Sequence, residues 1–235
     1  MASMKAVVKK KRPLLSKRHR RNCMDLALAH KDWTLEDWKQ VTWSDDTKIN
    51  HLGSDGRKWV WEKAGEGLSD RLVEGTVKFG GGSVMVWGCM FVDGPGYAWN
   101  IDGRMDGDLY VKIMEEDLKV SMNYYGKSPE EVVFHQDDDP KHTCKKAKNR
   151  FQNSNFEVME WPAQSLDLNP IYHLWSHLKK KLGEYETPPA GITGLWERVE
   201  KEWNNIPASM CQNLIESMPR MVAAVLAANG GYTKY

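Results

Sequence analysis

No apolar run in the chain approaches the ~18 residues that a membrane-spanning helix needs, and no charged, leucine-rich leader opens it. A membrane partner is therefore not expected. Cysteine is scarce: Cys23, Cys89, Cys144 and Cys211 are widely scattered, with no Cys-x-x-Cys pair and no zinc-ligand spacing. That pattern excludes a disulfide scaffold or a zinc finger and reads as reduced thiols in an intracellular protein. Internal repeats are absent. The "GGGS" at 80–83 lacks the Lys-Ser/Thr ending of a phosphate-binding loop, so a nucleotide or other small-molecule substrate is not expected either.

What remains is an ordinary globular composition, 41% hydrophobic and 28% charged over 235 residues, enough for one domain with a substantial core. Eleven tryptophans are many for this length and are assigned to core and half-buried sheet positions. The net charge of +1 conceals an asymmetry. Residues 1–22 hold nine cations (Lys5, Lys9, Lys10, Lys11, Arg12, Lys17, Arg18, Arg20 and Arg21) and no acid. Removing these nine from the 33 Lys and Arg leaves 24 against 32 acids, a net −8 for the rest. A basic arm on an acidic body suits contact with a polyanion, and "KKKR" at 9–12 has nuclear-localisation character. A solvated, disordered terminus is the plain alternative.

Along the chain, "CMDLALAHKDW" reads as a short helix, and Thr34 with Asp37 offers a capping box for a brief second one. "QVTWSDD" (40–46) reads as a strand with Val41, Trp43 and Asp45 on one face, and "RKWVWEK" (57–63) as another. "SVMVWGCMF" and "YAWNI" are strands joined by the Asp-Gly-Pro-Gly turn; 106–126 is helical by its apolar spacing. "EVVFHQD" (131–137) is a short strand ending on an acid, "PKHTCKKAKNRF" a helix, and "FEVMEW" a strand. Beyond 170 the chain reads as helices, the first with a stripe of Ile171, Leu174, Trp175, Leu178 and Leu182. Asn169 and Pro170 suit its cap and first position. The pattern argues for one mixed-sheet α/β domain covered by helices.

Asp45 and Asp137 each stand at the expected carboxyl end of a strand, where sites in open α/β sheets lie. If the strands are neighbours, the two carboxylates can converge on a divalent ion. Taken alone, however, aspartates at strand ends are more often turn formers, and Asp139 before Pro140 suits a cap.

Four motifs, in order, change that balance: "WSDDTKI" (43–49), "GGGSVMVWG" (80–88), "QDDDPKHT" (136–143) and "WPAQSLDLNPI" (161–171). From about Lys11 to Tyr235 the chain resembles the catalytic domain of mariner-type DNA transposases, close to the Sleeping Beauty branch. The resemblance implies an RNase-H-like α/β fold with a mixed five-stranded sheet flanked by helices. It also implies Mg²⁺- or Mn²⁺-dependent endonuclease and strand-transfer chemistry on double-stranded DNA, in the nucleus, with a homodimer as a candidate assembly. Asp45 matches the family's first catalytic acid and metal ligand, and Asp137 the second. Asp46 and Asp138 are neighbours rather than ligands. In the family thirty-four residues separate the second acid from the third, which places the third here at Tyr172.

A neutral phenol is a poor Mg²⁺ ligand. Asp167 lies before the proline turn, and His173 lies about 100° around the helix from position 172. Leu166 also replaces a proline of the family's motif. The expectation is impaired cleavage; the alternative is a non-enzymatic DNA-binding or oligomerisation protein derived from a transposase. His142 is expected to cap or pack rather than bind metal; the "GGGS" strip resembles the family's glycine-rich strip beside a loop that contacts a partner subunit and DNA, and a hinge into the strand is equally compatible. The family's two helix-turn-helix modules have no counterpart before the first expected strand. Residues 1–22 are therefore taken as a flexible linker remnant whose Lys9, Lys10, Lys11, Arg12, Lys17, Arg18, Arg20 and Arg21 touch DNA phosphate. Residues 23–235 are taken as the catalytic domain.

Overall fold

Strand β1 (Val41–Asn50) organises the molecule because it is paired along both edges. The structure, a computed structural model, describes residues 14–51, 81–152, 154, 156–159, 161 and 168–233. On one edge β1 runs antiparallel to β2 (Ser83–Phe91), from Trp43 opposite Met90 to Asn50 opposite Ser83. On the other it runs parallel to β5 (Val133–His135), but only from Val41 to Trp43. The short β3 (Gly94–Pro95) and β4 (Trp99–Ile101) extend the β2 side, and β6 (Glu157–Met159) pairs parallel with β5. The mixed sheet therefore has six strands among the described residues, one more than the five expected, because the Gly94–Pro95 turn itself pairs with β2. The expected strand at 57–63 lies outside the described residues.

Period-two alternation along β2 sorts the cores onto opposite faces. Val84, Val86 and Met90 join the first core, with α1 (Lys17–Ala29), α2 (Leu35–Lys39), α6 (Ile171–Gly183), α7 (Gly191–Asn204), α8 (Ala208–Glu216) and α9 (Met218–Ala227). Trp87, Cys89 and Phe91 join the second, with α3 (Gly107–Ile113), α4 (Lys119–Tyr124) and α5 (Lys145–Gln152). Between α3 and α4 one π-helical turn, Met114–Leu118, replaces the single helix expected over 106–126. Trp38, Trp43, Trp87 and Trp203 are fully buried. All four cysteines are free thiols.

Three boundaries differ from expectation. Helix α1 begins before residue 23: Ser16 caps it in a capping box with His19, and α1 packs on α9. Leu15 N donates to the Tyr232 hydroxyl at 3.3 Å, and a Cβ on Gly230 would collide with Arg20 O. Lys17, Arg18, Arg20 and Arg21 are thus helical and fixed to the domain rather than parts of a loose arm. The helix expected from Pro140 starts instead at Lys145. Asp137 and Asp139 draw the backbone N–H groups of Asp139 and Lys141 into turns, and such bonds compete with helix formation. Finally, α6 starts at Ile171, one residue later than expected, with Asn169 Oδ1 accepting from Ile171 N at 3.3 Å.

Gly88 faces the first core, directly opposite Asp45 in the ladder. A Cβ there would stand 2.7 Å from Trp175 and 3.0 Å from Trp203. Gly88→Ala should lower stability by about 1–3 kcal/mol, read as a lower urea midpoint at constant m-value. At Gly183 no atom lies within 4 Å of the added Cβ, so Gly183→Ala should change stability by less than ~1 kcal/mol.

Candidate active site

Register directs the two expected acids toward the same end of the β1–β5 pair, and each lies within reach of the other's charge. Val41 lies opposite Val133 and Trp43 opposite His135; the same offset (133 − 41 = 137 − 45) carries Asp45 to Asp137. Asp45 does not end its strand, as expected; it lies inside β1, which continues to Asn50. What ends there is the parallel neighbour. Past His135 the edge of β1 is released from β5 while β2 still holds the other edge, so both acids lie at the carboxyl end of β5, where sites in open α/β sheets lie.

The two carboxylates have different surroundings. Asp45 is 5% exposed, and the indole N–H of Trp175 donates to its Oδ2 at 3.1 Å. Burial first, then the charges of Asp46 and Asp137, push its carboxyl well above the usual carboxylate range. Asp137 moves the other way. Burial alone would raise it, but the hydrogen bond from His142 Nδ1, the Asp139 N–H at 3.2 Å and the nearby charge of Lys141 hold it lower. Both hydrogen bonds fall on Oδ1, which leaves Oδ2 as the oxygen for a ligand.

A supporting set surrounds this pair. Lys141 Nζ lies 3.0 Å from Asp46 Oδ1 and 3.0 Å from Asp139 Oδ2, so it ties β1 to the loop after β5. His142 is buried, with its ring 4.2 Å from that of Tyr110, whose hydroxyl donates to Gln136 Oε1 at 2.5 Å. Its Nε2 stands 3.8 Å from Asp46 Oδ1. Since a carboxylate only accepts, His142 carries its proton on Nδ1 toward Asp137.

Position 172 belongs to the same cluster. Tyr172 opens α6, is partly buried, and packs on the first core. Its phenol is pushed well above the ordinary value, first by burial and then by the charges of Asp45, Asp137 and Asp46. The phenol thus lies within the field of all three acids. His173, one step around the helix, is exposed, and Asp167 lies outside the described residues. Lys9, Lys10, Lys11 and Arg12 also lie outside them. Lys17, Arg18, Arg20 and Arg21 are exposed along the first turns of α1.

Trp175, Lys141 and the bond from His142 to Asp137 were not read from sequence. Trp175 had been assigned only to the apolar stripe of α6. Its three-residue spacing from position 172, which puts both on one helix face, was the available signal.

Hard oxygen donors suit a divalent cation, and a cation between the carboxylates would offset both the burial that chiefly raises Asp45 and the added repulsion of Asp46 and Asp137. Asp45 and Asp137 fit one such ion. They do not make a site for two, because the third position carries a neutral phenol. Among the described residues no group of three His, Cys, Asp or Glu could hold a metal.

No family profile matches the chain. It is 40% identical over 226 residues to the Tc1 transposable-element transposase of Caenorhabditis elegans, covering 96% of this chain and 81% of that protein. It is 38% identical to the Tcb1 transposase of Caenorhabditis briggsae over the same shares. In structure it is similar to the Mos1 mariner paired-end complex with Mn, with a TM-score of 0.81 and 17% identity over 100% of this chain and 69% of that one. The Mos1 mariner catalytic domain alone gives a TM-score of 0.70 at 16% identity, covering 96% of this chain and all of that domain. The fold is thus RNase-H-like.

The raised Asp45 carboxyl has a consequence for stability. An unfolded aspartate titrates near ~3.9, whereas the folded chain retains this proton to higher pH, so folding stability falls as pH rises above ~4 toward the raised value. Asp45→Asn, which keeps an acceptor for Trp175, should raise the Tm at pH 7. That gain should vanish below pH ~4; a constant gain across the series would contradict the assignment.

Proposed function

The chain belongs to the Tc1/mariner family of transposases, and on that footing we propose that it is the DNA-cleaving and strand-joining domain of such an enzyme, working with an incomplete acid set. The observation that supports this reading is that Asp45, Asp137 and position 172 lie within reach of one another's charges. Two of the three family positions keep their chemistry, and the third has lost it.

In this reading Asp45 and Asp137 hold one Mg²⁺ or Mn²⁺ on double-stranded DNA. When bound, such an ion supplies charge neutralisation at phosphate and activates an oxygen nucleophile. The chain's own residues set the frame: Trp175 and His142 each occupy one oxygen of an acid, and Lys141 neutralises Asp46 and Asp139 beside them. Tyr172 can offer DNA a phenolic hydrogen bond, but adds no negative charge to hold a second ion.

The basic end of α1 supports DNA as the partner. Lys17, Arg18, Arg20 and Arg21 sit at the helix N-terminus, with no acid in the first turn. Cations there oppose the helix macrodipole by about 0.3–1 kcal/mol each. An arrangement that is locally unfavourable becomes favourable when a polyanion lies across it. The neutral phenol at 172 also favours a second reading, in which the protein binds DNA without cutting it.

Two experiments separate these readings. With Mg²⁺ or Mn²⁺ and duplex DNA, the wild type should cleave weakly, and Tyr172→Glu should raise the rate by about 100-fold, the scale of restoring one preorganised charge. Adding Asp45→Asn or Asp137→Asn to Tyr172→Glu should abolish the gain; efficient wild-type cleavage would refute impairment. In filter-binding titrations, replacing Lys17, Arg18, Arg20 and Arg21 by alanine should weaken duplex binding. The log–log salt slope should fall by about three to four, since each phosphate neutralised by a side chain accounts for about 0.9 of it. An unchanged slope would remove α1 from the interface.

A further inference from the structure

We propose that Trp175 is a positioning residue for the candidate metal site, its indole N–H fixing one oxygen of Asp45 so that the other is presented to a cation. The inference rests on the reading of Asp45 and Asp137 as ligands given above.

The indole is closely held. Trp175 is 2% exposed and stacks on Trp203, with ring centroids 4.5 Å apart and planes 27° from parallel. Trp203 is itself tethered, its indole N–H donating to Gly96 O at 2.7 Å. Across the sheet, Gly88 leaves the space that both rings fill; a side chain there would overlap them. Both indoles are thus held by the glycine and by their stack, and Trp203 also by a backbone acceptor. The N–H of Trp175 has little freedom to turn from Asp45 Oδ2, which it meets at 3.1 Å.

Packing alone does not need this polar contact. Trp38, Trp43 and Trp87 are equally buried, and their indole nitrogens have no hydrogen-bond partner among the described residues. Trp175 differs in ending on a buried carboxylate. A carboxyl group with one oxygen saturated by a rigid neutral donor presents its other oxygen in a fixed direction, as hydrogen bonds behind metal ligands commonly do. His142 does the equivalent for Asp137 through Oδ1. The two acids would then each offer one oxygen, and α6 would be coupled to β1 through Trp175 whichever residue occupies 172.

The test separates the N–H from the ring. Trp175 is replaced by 3-benzothienylalanine, which keeps the bicyclic shape and substitutes sulfur for N–H, in both the wild-type and Tyr172→Glu backgrounds. Mn²⁺ affinity is read from the free-ion EPR signal, and the fold from near-UV circular dichroism. The isostere should keep the fold and bind Mn²⁺ about 10- to 100-fold more weakly than its parent. Unchanged affinity with an intact fold would overturn the inference while leaving the ligand pair standing. If neither background binds Mn²⁺ before the replacement, the ligand pair itself fails, and the inference with it.

A measurement on the unmodified side chain guards against a misfolded variant. In ¹⁵N-labelled protein the Trp175 indole resonance, assigned by its loss in Trp175→Phe, should broaden with substoichiometric Mn²⁺, ahead of the indoles of Trp33 and Trp196. Equal broadening of all three would overturn the proposal.

Discussion

The architecture depends on β1 having neighbours of opposite direction and unequal length. Its antiparallel partner stays with it to Asn50, whereas its parallel partner leaves after Trp43. From Ser44 onward one edge is therefore held and the other is free, so Asp45 is rigid in its backbone yet borders an opening. A site at the tip of a strand would share the looseness of a loop. Here the first acid is fixed by a continuous ladder on one side, and the second arrives on a turn bound back to that strand through Lys141 and His142. The helix carrying the third position closes the arrangement from the first core.

Much of this was legible in the sequence because the signals were local. The apolar stripe of α6, the Thr34–Asp37 capping box and the turn at 93–96 are carried by neighbouring residues, and each produces the expected element. The pairing of Asp45 with Asp137 was expected from four ordered motifs rather than from periodicity, and in the fold each lies within reach of the other's charge. Interactions between distant parts of the chain were not legible. Nothing near Trp175 announces a carboxylate 130 residues away, and nothing near Arg20 announces the glycine that packs on it. The start of α1 was missed for a related reason: a run of cations at a helix N-terminus is unfavourable by itself, and contacts with α9 and Tyr232 hold it in place. The helix expected from Pro140 failed because its first residues are engaged by the acids around them.

Tyr172 makes the relation between scaffold and chemistry unusually plain. The bonds that orient Asp45 and Asp137 come from Trp175, His142 and the loop backbone, not from residue 172. The orientation of these two acids therefore does not depend on a carboxylate at 172. A core-facing tyrosine is also compatible with the first turn of α6, since its ring packs on the first core while its hydroxyl meets the acids' field. Local stability places little demand on this position to remain acidic; in the proposed function, only the chemistry does.

The contact between Leu15 and Tyr232 brings two points 217 residues apart in sequence to within one hydrogen bond. Topologically the domain is almost a closed ring, with its seam on the face formed by α1 and α9. A short peptide joining the two sides of that seam would span little distance, and the ring could then be opened at a surface turn elsewhere. The order in which the elements are synthesised is thus separable from the arrangement that brings Asp45 to Asp137. The basic helix could be moved to the far end of the polypeptide without leaving its place on the surface.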